Sequence, residues 1–126
     1  MKVLSIVESA YRATVEEQDD TIVWLNAMFA DAGLDVDLLL RSQAVNYLVR
    51  GQDASSLAIG GEPLGNPPRL DEDVAALIAR GSSVYFVSED AAELGVSTDR
   101  MIDAVRPVTR SELPRLFAEY DQVWHW

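Results

Sequence analysis

The chain has 126 residues, a mass of 13.9 kDa and 48% apolar side chains, which is enough for one hydrophobic core and short for two domains. Ten basic side chains against twenty-one acidic ones leave a net charge of −11, so nucleic acid and anionic membranes are excluded as expected partners. No cysteine and a single histidine are present, which excludes disulfides, thiolate or histidine-rich metal sites and cysteine nucleophiles, and no metal or cofactor is expected.

Residues 2–7, KVLSIV, are apolar on both faces and predict a buried first strand. ESAYRAT reads as a loop, and Thr14-Val15-Glu16-Glu17 fits a capping box that opens a helix running to about Ala32. Its apolar stripe is Ile22, Leu25, Met28, Phe29 and Ala32, and Gly33 stops it. Val36 to Leu40 predicts a second strand, ended by Arg41-Ser42, and AVNYLVRG a helix closed by Gly51. Residues 53–70 hold three of the seven glycines and three of the five prolines, a composition that leaves a long loop.

Asp71 to Arg80 predicts a helix with Val74, Leu77 and Ile78 on one face, ended by Gly81. Ser83 to Val87 is the third strand of this reading, and SEDAAELG a short helical turn closed by Gly95. Met101 to Val105 reads as a further turn and Val105 to Val108 as a fourth strand, which Pro107 assigns to an edge or a strand end. Ser111 is the expected cap of a last helix with Pro114 in its first turn and a stripe of Leu113, Leu116, Phe117 and Tyr120. Gln122 to Trp126 reads as a terminal strand. Strand and helix alternate throughout, which predicts a single-domain α/β fold with about five parallel strands and helices on both faces.

In such sheets ligands bind beyond the carboxyl ends of the strands. The residues there are Glu8, Ser9, Tyr11 and Arg12, then Arg41 and Ser42, then Ser88, Glu89 and Asp90, then Thr109, Arg110 and Ser111. The ligand-binding candidates are Glu8, Ser9, Tyr11, Arg12, Arg41, Ser42, Ser88 and Glu89. No catalytic residue is assigned, because no Ser–His–Asp arrangement is readable and no glycine-rich phosphate motif occurs. ESAYRAT also lacks the hydroxyl density of a flavin loop. Glu8 is either an acid/base group with a raised pKa or half of an ion pair with Arg12 or Arg41. Ser88-Glu89-Asp90 reads as a helix N-cap with two first-turn acids, and also as a hydrogen-bonding site. The acids from Glu16 to Asp20 are a solvated helix end or a docking patch for a basic protein.

On a strand Trp124 and Trp126 share one face and His125 takes the other. With Tyr47, the two tryptophans are the candidates for a subunit interface, against the alternative that all three are core. The opening apolar run is too short for a signal segment, and no stretch approaches the ~20 apolar residues that span a bilayer, so a cytoplasmic location is expected.

Several segments together resemble the DsrE/DsrF-like family, which includes small sulfur-relay subunits of dissimilatory sulfur oxidation and tRNA 2-thiolation. They are MKVLSIVES, the A-x-x-G-x-x-V step in ADAGLDVDLLL, AVNYLVRGQ, ARGSSVYFVSEDAAELGV and YDQVWHW. The likeness runs the length of the chain, and no single motif is strict. It implies a five-stranded parallel sheet and assembly into homo-trimers, homo-hexamers or hetero-oligomers with other sulfur-relay subunits. It also implies a persulfide-carrying cysteine at the end of the third strand, a position that falls at Val87 or Ser88. Here that position is Ser88, and a hydroxyl cannot carry sulfane sulfur. The expected function is therefore a non-catalytic family member that supports sulfur trafficking by binding a partner or small ligand. The alternatives are an enzyme or binding protein with a pocket at the strand ends, and a structural subunit of a hetero-oligomer.

Overall fold

A computed structural model describes residues 1–9 and 20–126. Strand β1 (Lys2–Val7) is followed by helix α1 (Thr21–Asp31) and strand β2 (Asp35–Leu40). A 3-10 helix (Ser42–Leu48) and a small hairpin, β3 (Ala58–Ile59) and β4 (Glu62–Pro63), precede helix α2 (Leu70–Ala79). Strand β5 (Val84–Val87) runs directly into α3 (Ser88–Glu93), and a 3-10 turn (Thr98–Arg100) leads to β6 (Arg106–Val108). A further 3-10 turn (Arg110–Glu112), α4 (Leu113–Phe117) and β7 (Gln122–His125) complete the chain.

The five long-range strands form one sheet in the order β6-β5-β2-β1-β7, and every neighbouring pair is parallel. Alternation along each strand sends side chains to two cores. Leu38 and Leu40 of β2, with Val84 and Phe86 of β5, pack under α1, α2, α3 and the 3-10 helix. Leu4 and Ile6 of β1, Leu39 of β2 and Val87 of β5 pack against Leu113 and Leu116 of α4. The predicted layering holds: one parallel sheet, helices on both faces, and Pro107 on an edge strand. No helix of the described residues is long and apolar enough to cross a membrane.

Several local expectations are corrected. Helix α1 does not run through residue 20: Asp20 is extended and caps it, its Oδ1 accepting from the N–H groups of Ile22 and Val23 at 2.9 and 3.0 Å. The Thr14 capping box and the acids at 16–19 lie outside the described residues. The buried stripe of α1 is not the apolar one: Val23 and Asn26 are inside, while Met28 and Ala32 are exposed. Asn26 is tolerated there because its amide donates to Ser5 Oγ at 3.1 Å and to the Ile22 carbonyl at 2.8 Å.

The helix expected through AVNYLVRG is a 3-10 helix that starts at Ser42. The turn expected over Met101 to Val105 is present at Asp103 and Ala104, a further 3-10 turn precedes it at Thr98–Arg100, and Met101 bridges to Val49. The last helical segment is capped by Thr109 rather than Ser111, with the Glu112 carboxylate reaching back to the Thr109 N–H at 3.1 Å.

Tyr47 is core rather than interface: it is 2% exposed, and its hydroxyl donates to Asp20 Oδ2 at 2.5 Å. Asp20 therefore serves both the α1 cap and this tyrosine. Asp20→Ala is expected to cost about 2 kcal/mol, the cap plus the shorter of the Tyr47 hydroxyl's hydrogen bonds, measured by urea unfolding.

Candidate functional site

The parallel arrangement brings the carboxyl ends of all five strands to one side of the molecule. Glu8 follows β1, Arg41 and Ser42 follow β2, Ser88 to Asp90 follow β5, and Thr109 and Arg110 follow β6. Glu8, Arg41, Ser42, Asp90, Glu93, Leu94 and Arg110 line an open cleft of about 270 Å³. Of the eight predicted ligand residues, Glu8, Arg41 and Ser42 line it directly. Tyr11 and Arg12 lie outside the described residues, and Ser9 is exposed at the end of the described segment.

Ser88 and Glu89 are not among the lining residues and act through the segment after β6. The Ser88 hydroxyl donates to the Val108 carbonyl at 3.0 Å and ties the end of β5 to β6. The Glu89 carboxylate accepts from the Arg110 N–H at 3.0 and 3.1 Å. Both contacts hold the segment after β6 so that the Arg110 side chain enters the cleft. There its guanidinium donates to Asp90 Oδ1, and to Glu93 Oε1 at 2.9 Å. These two carboxylates raise the Arg110 pKa above its already high value.

Asp90 is the hub. Its Oδ2 accepts from the Ser42 N–H at 2.6 Å, and that N–H is aimed by a left-handed backbone, φ +52°, which is uncommon for a residue with a side chain. Burial works against the charged form of Asp90. The Ser42 N–H, the Arg110 guanidinium and the Arg41 charge outweigh it and hold the carboxyl below the ordinary 3.8. A depressed folded-state pKa stabilises the fold above the unfolded value and loses that contribution as pH falls through the folded value. The stability gap between the wild type and Asp90→Asn is therefore expected to be present at pH 7 and to shrink below about pH 4, measured by urea unfolding at both ends.

Glu8 is paired, as one of its two readings required. Its Oε1 lies 3.8 Å from Arg41 Nε, and its Oε2 lies 2.7 Å from His125 Nε2. His125 was not among the predicted site residues. Only the pairing of β7 with β1, which sets His125 beside Ile6, brings the imidazole to Glu8. Arg41 Nε is screened from solvent and makes no hydrogen bond. The Arg41 side chain as a whole is 33% exposed and lines the cleft, so its guanidinium charge can attract an anionic group there.

Trp124 and Trp126 lie away from the cleft, on one face of β7 as predicted, with ring centroids 6.5 Å apart. Trp124 meets Phe29 edge-on at 5.5 Å, and the Trp126 indole donates to Ser5 Oγ at 2.9 Å. Among the described residues no group of three or more His, Asp or Glu is placed to hold a metal ion.

A single parallel sheet with helices on both faces and a charged cleft at its strand ends defines a small α/β fold. No family model matches the chain, and no curated protein matches it. Solved structures do match. The ychN protein from E. coli superposes with a TM-score of 0.68 at 22% identity, over 99% of this chain and 98% of that one. A protein of unknown function from Methanobacterium thermoautotrophicum does so with a TM-score of 0.56 at 18% identity, over 97% of this chain and 96% of that one. The likeness is one of fold, and it extends from end to end.

Proposed function

We propose that the chain is a cysteine-free DsrE/DsrF-like protein that supports sulfur trafficking by binding a partner or small ligand at the strand-end cleft. The observation that carries this reading is Ser88. It stands at the β5–α3 junction, where the family resemblance implies a sulfur carrier, and its hydroxyl is committed to the Val108 carbonyl. The rest of the cleft keeps the apparatus for binding: the guanidinium groups of Arg41 and Arg110 and the Asp90 hub. The full-length fold likeness supports the family, and the cleft's charged lining supports a polar ligand rather than an apolar one.

A thermal-shift series with thiosulfate, sulfite and a low-molecular-weight persulfide tests the reading. A ligand of the native state at a hundredfold excess over its Kd stabilises by about 2.7 kcal/mol. At least one compound is expected to raise Tm in the wild type and to lose its effect in Arg41→Ala. No shift with any of them overturns small-ligand binding at this cleft.

One observation favours a second reading, an enzyme. The Glu8–His125 contact is a carboxylate–imidazole pair of the kind that orients a general base. Turnover of a bound ligand that disappears in His125→Gln supports this reading, and binding without turnover counts against it.

A further inference from the structure

We propose that the free edge of β7 pairs antiparallel with β7 of a second copy of this chain, across a twofold axis at Trp124. The inference is independent of what the cleft binds. It starts from which backbone groups are already used. The Trp126 N–H donates to the Ile6 carbonyl at 3.1 Å, on the β1 side. Backbone groups alternate in direction along a strand, so those of Trp124 also face β1, and those of Val123 and His125 face outward. Strand β7 ends the sheet, and no described strand pairs with its outer side.

The two edges of the sheet are treated differently. Strand β6 is three residues long and carries Arg106 and Pro107, a charge and a residue without an N–H, the usual guards of an edge. The other edge has neither. Residues 122–126 include no Asp, Glu, Lys or Arg in a chain that is 25% charged. Val123 is 39% exposed and Trp126 46%. The acids that border the strand are engaged: Asp121 Oδ2 accepts from the Lys2 N–H at 2.7 Å, and Glu8 holds His125. A net charge of −11 opposes contact between copies over most of the surface, so a self-contact belongs where charge is missing.

Symmetry then fixes the register. A twofold axis perpendicular to the sheet keeps each face on its own side, so residues directly opposite one another must point to the same face. Pairing centred on Trp124 satisfies this. It sets Val123 opposite His125 of the second copy, and His125 opposite its Val123. These are the residues whose backbone groups face outward, so each pair exchanges both hydrogen bonds. Trp124 meets Trp124 of the second copy as the close, non-hydrogen-bonded pair on the other face. Pairing centred on Val123 instead sets His125 opposite Asp121, whose N–H already donates to the Lys2 carbonyl at 2.9 Å. The strand is complementary to itself, which selects a second copy over an unrelated strand.

The test is light-scattering mass on the full chain, together with residue-resolved amide exchange. The wild type is expected to contain an even number of copies. Within that assembly the Val123 and His125 amides exchange as slowly as those of Trp124 and Trp126. Val123→Pro removes an outward N–H without touching the β1 ladder, and is expected to halve the copy number. Val123→Lys keeps the backbone intact, places like charges in the contact, and is expected to do the same if the proline variant fails to fold. A monomer, an odd-numbered assembly, a mass unchanged by Val123→Lys, or open Val123 and His125 amides in the assembled protein each overturn the proposal.

Discussion

Asp37→Ala is expected to lower the unfolding free energy by about 3 kcal/mol, a large share of the 5–15 kcal/mol that holds a domain of this size together. Asp37 is 5% exposed on β2. Its Oδ1 accepts from the Ser83 N–H at 2.7 Å, and its Oδ2 from the Tyr120 hydroxyl at 2.6 Å. Lys2 Nζ lies 3.8 Å from Oδ2 and 4.5 Å from the centre of the Tyr120 ring. Removal of the carboxylate takes the acceptor from the Ser83 N–H and the 2.6 Å acceptor from the Tyr120 hydroxyl, each worth about 1–3 kcal/mol, while Lys2 returns to water.

Burial first, then the hydrogen bonds to Asp37 and Tyr85, push the Tyr120 hydroxyl far above its usual pKa, so it stays a donor across the whole working pH range. Tyr120→Phe should cost less, about 1.5–2 kcal/mol, because Asp37 keeps its other partners. A double-mutant cycle in urea is expected to show strong coupling between the two positions, and additive losses would contradict the network.

Ser88→Cys is expected to change the chemistry from none to one sulfur per chain. The wild type has no thiol and so cannot hold sulfane sulfur covalently as a persulfide. A cysteine at residue 88 would sit at the N-terminus of α3, beside the mouth of the cleft. Its thiolate would be exposed to the Arg110 and Arg41 charges that already depress Asp90. Treatment with polysulfide is expected to give a single cyanide-labile sulfur on this variant. The loss of the Ser88–Val108 hydrogen bond costs about 1 kcal/mol, which the fold tolerates. A correctly folded Ser88→Cys protein that takes up no sulfur would contradict placement of the carrier position at residue 88.

The layering was legible because it rests on local signals. The apolar runs at residues 2–7, 36–40 and 84–87 are strands buried on both faces, and Gly33, Gly51 and Gly81 mark the breaks between elements with positive φ. Pro107 correctly pointed to an edge.

The errors came where a side chain's partner lies far along the chain. Asn26 does not read as core, because its burial depends on Ser5, 21 residues away. Tyr120 reads as part of an apolar helical stripe, yet its hydroxyl is satisfied 83 residues away at Asp37. The site shows the same division. Glu8, Arg41 and Ser42 could be placed from strand ends alone. His125 joined them only through the β1–β7 pairing, which no local pattern encodes, and Glu93 and Leu94 entered because α3 starts without a linker after β5.

The central claim is that the strand-end cleft binds a partner or ligand. Native mass spectrometry of the protein purified from its own cells tests it most directly. Either an added small-molecule mass or an unequal subunit is expected, in both cases lost from a variant carrying Glu8→Gln and Arg41→Ala. A wild type that flies as a clean assembly of this chain alone, with no added mass, would contradict it.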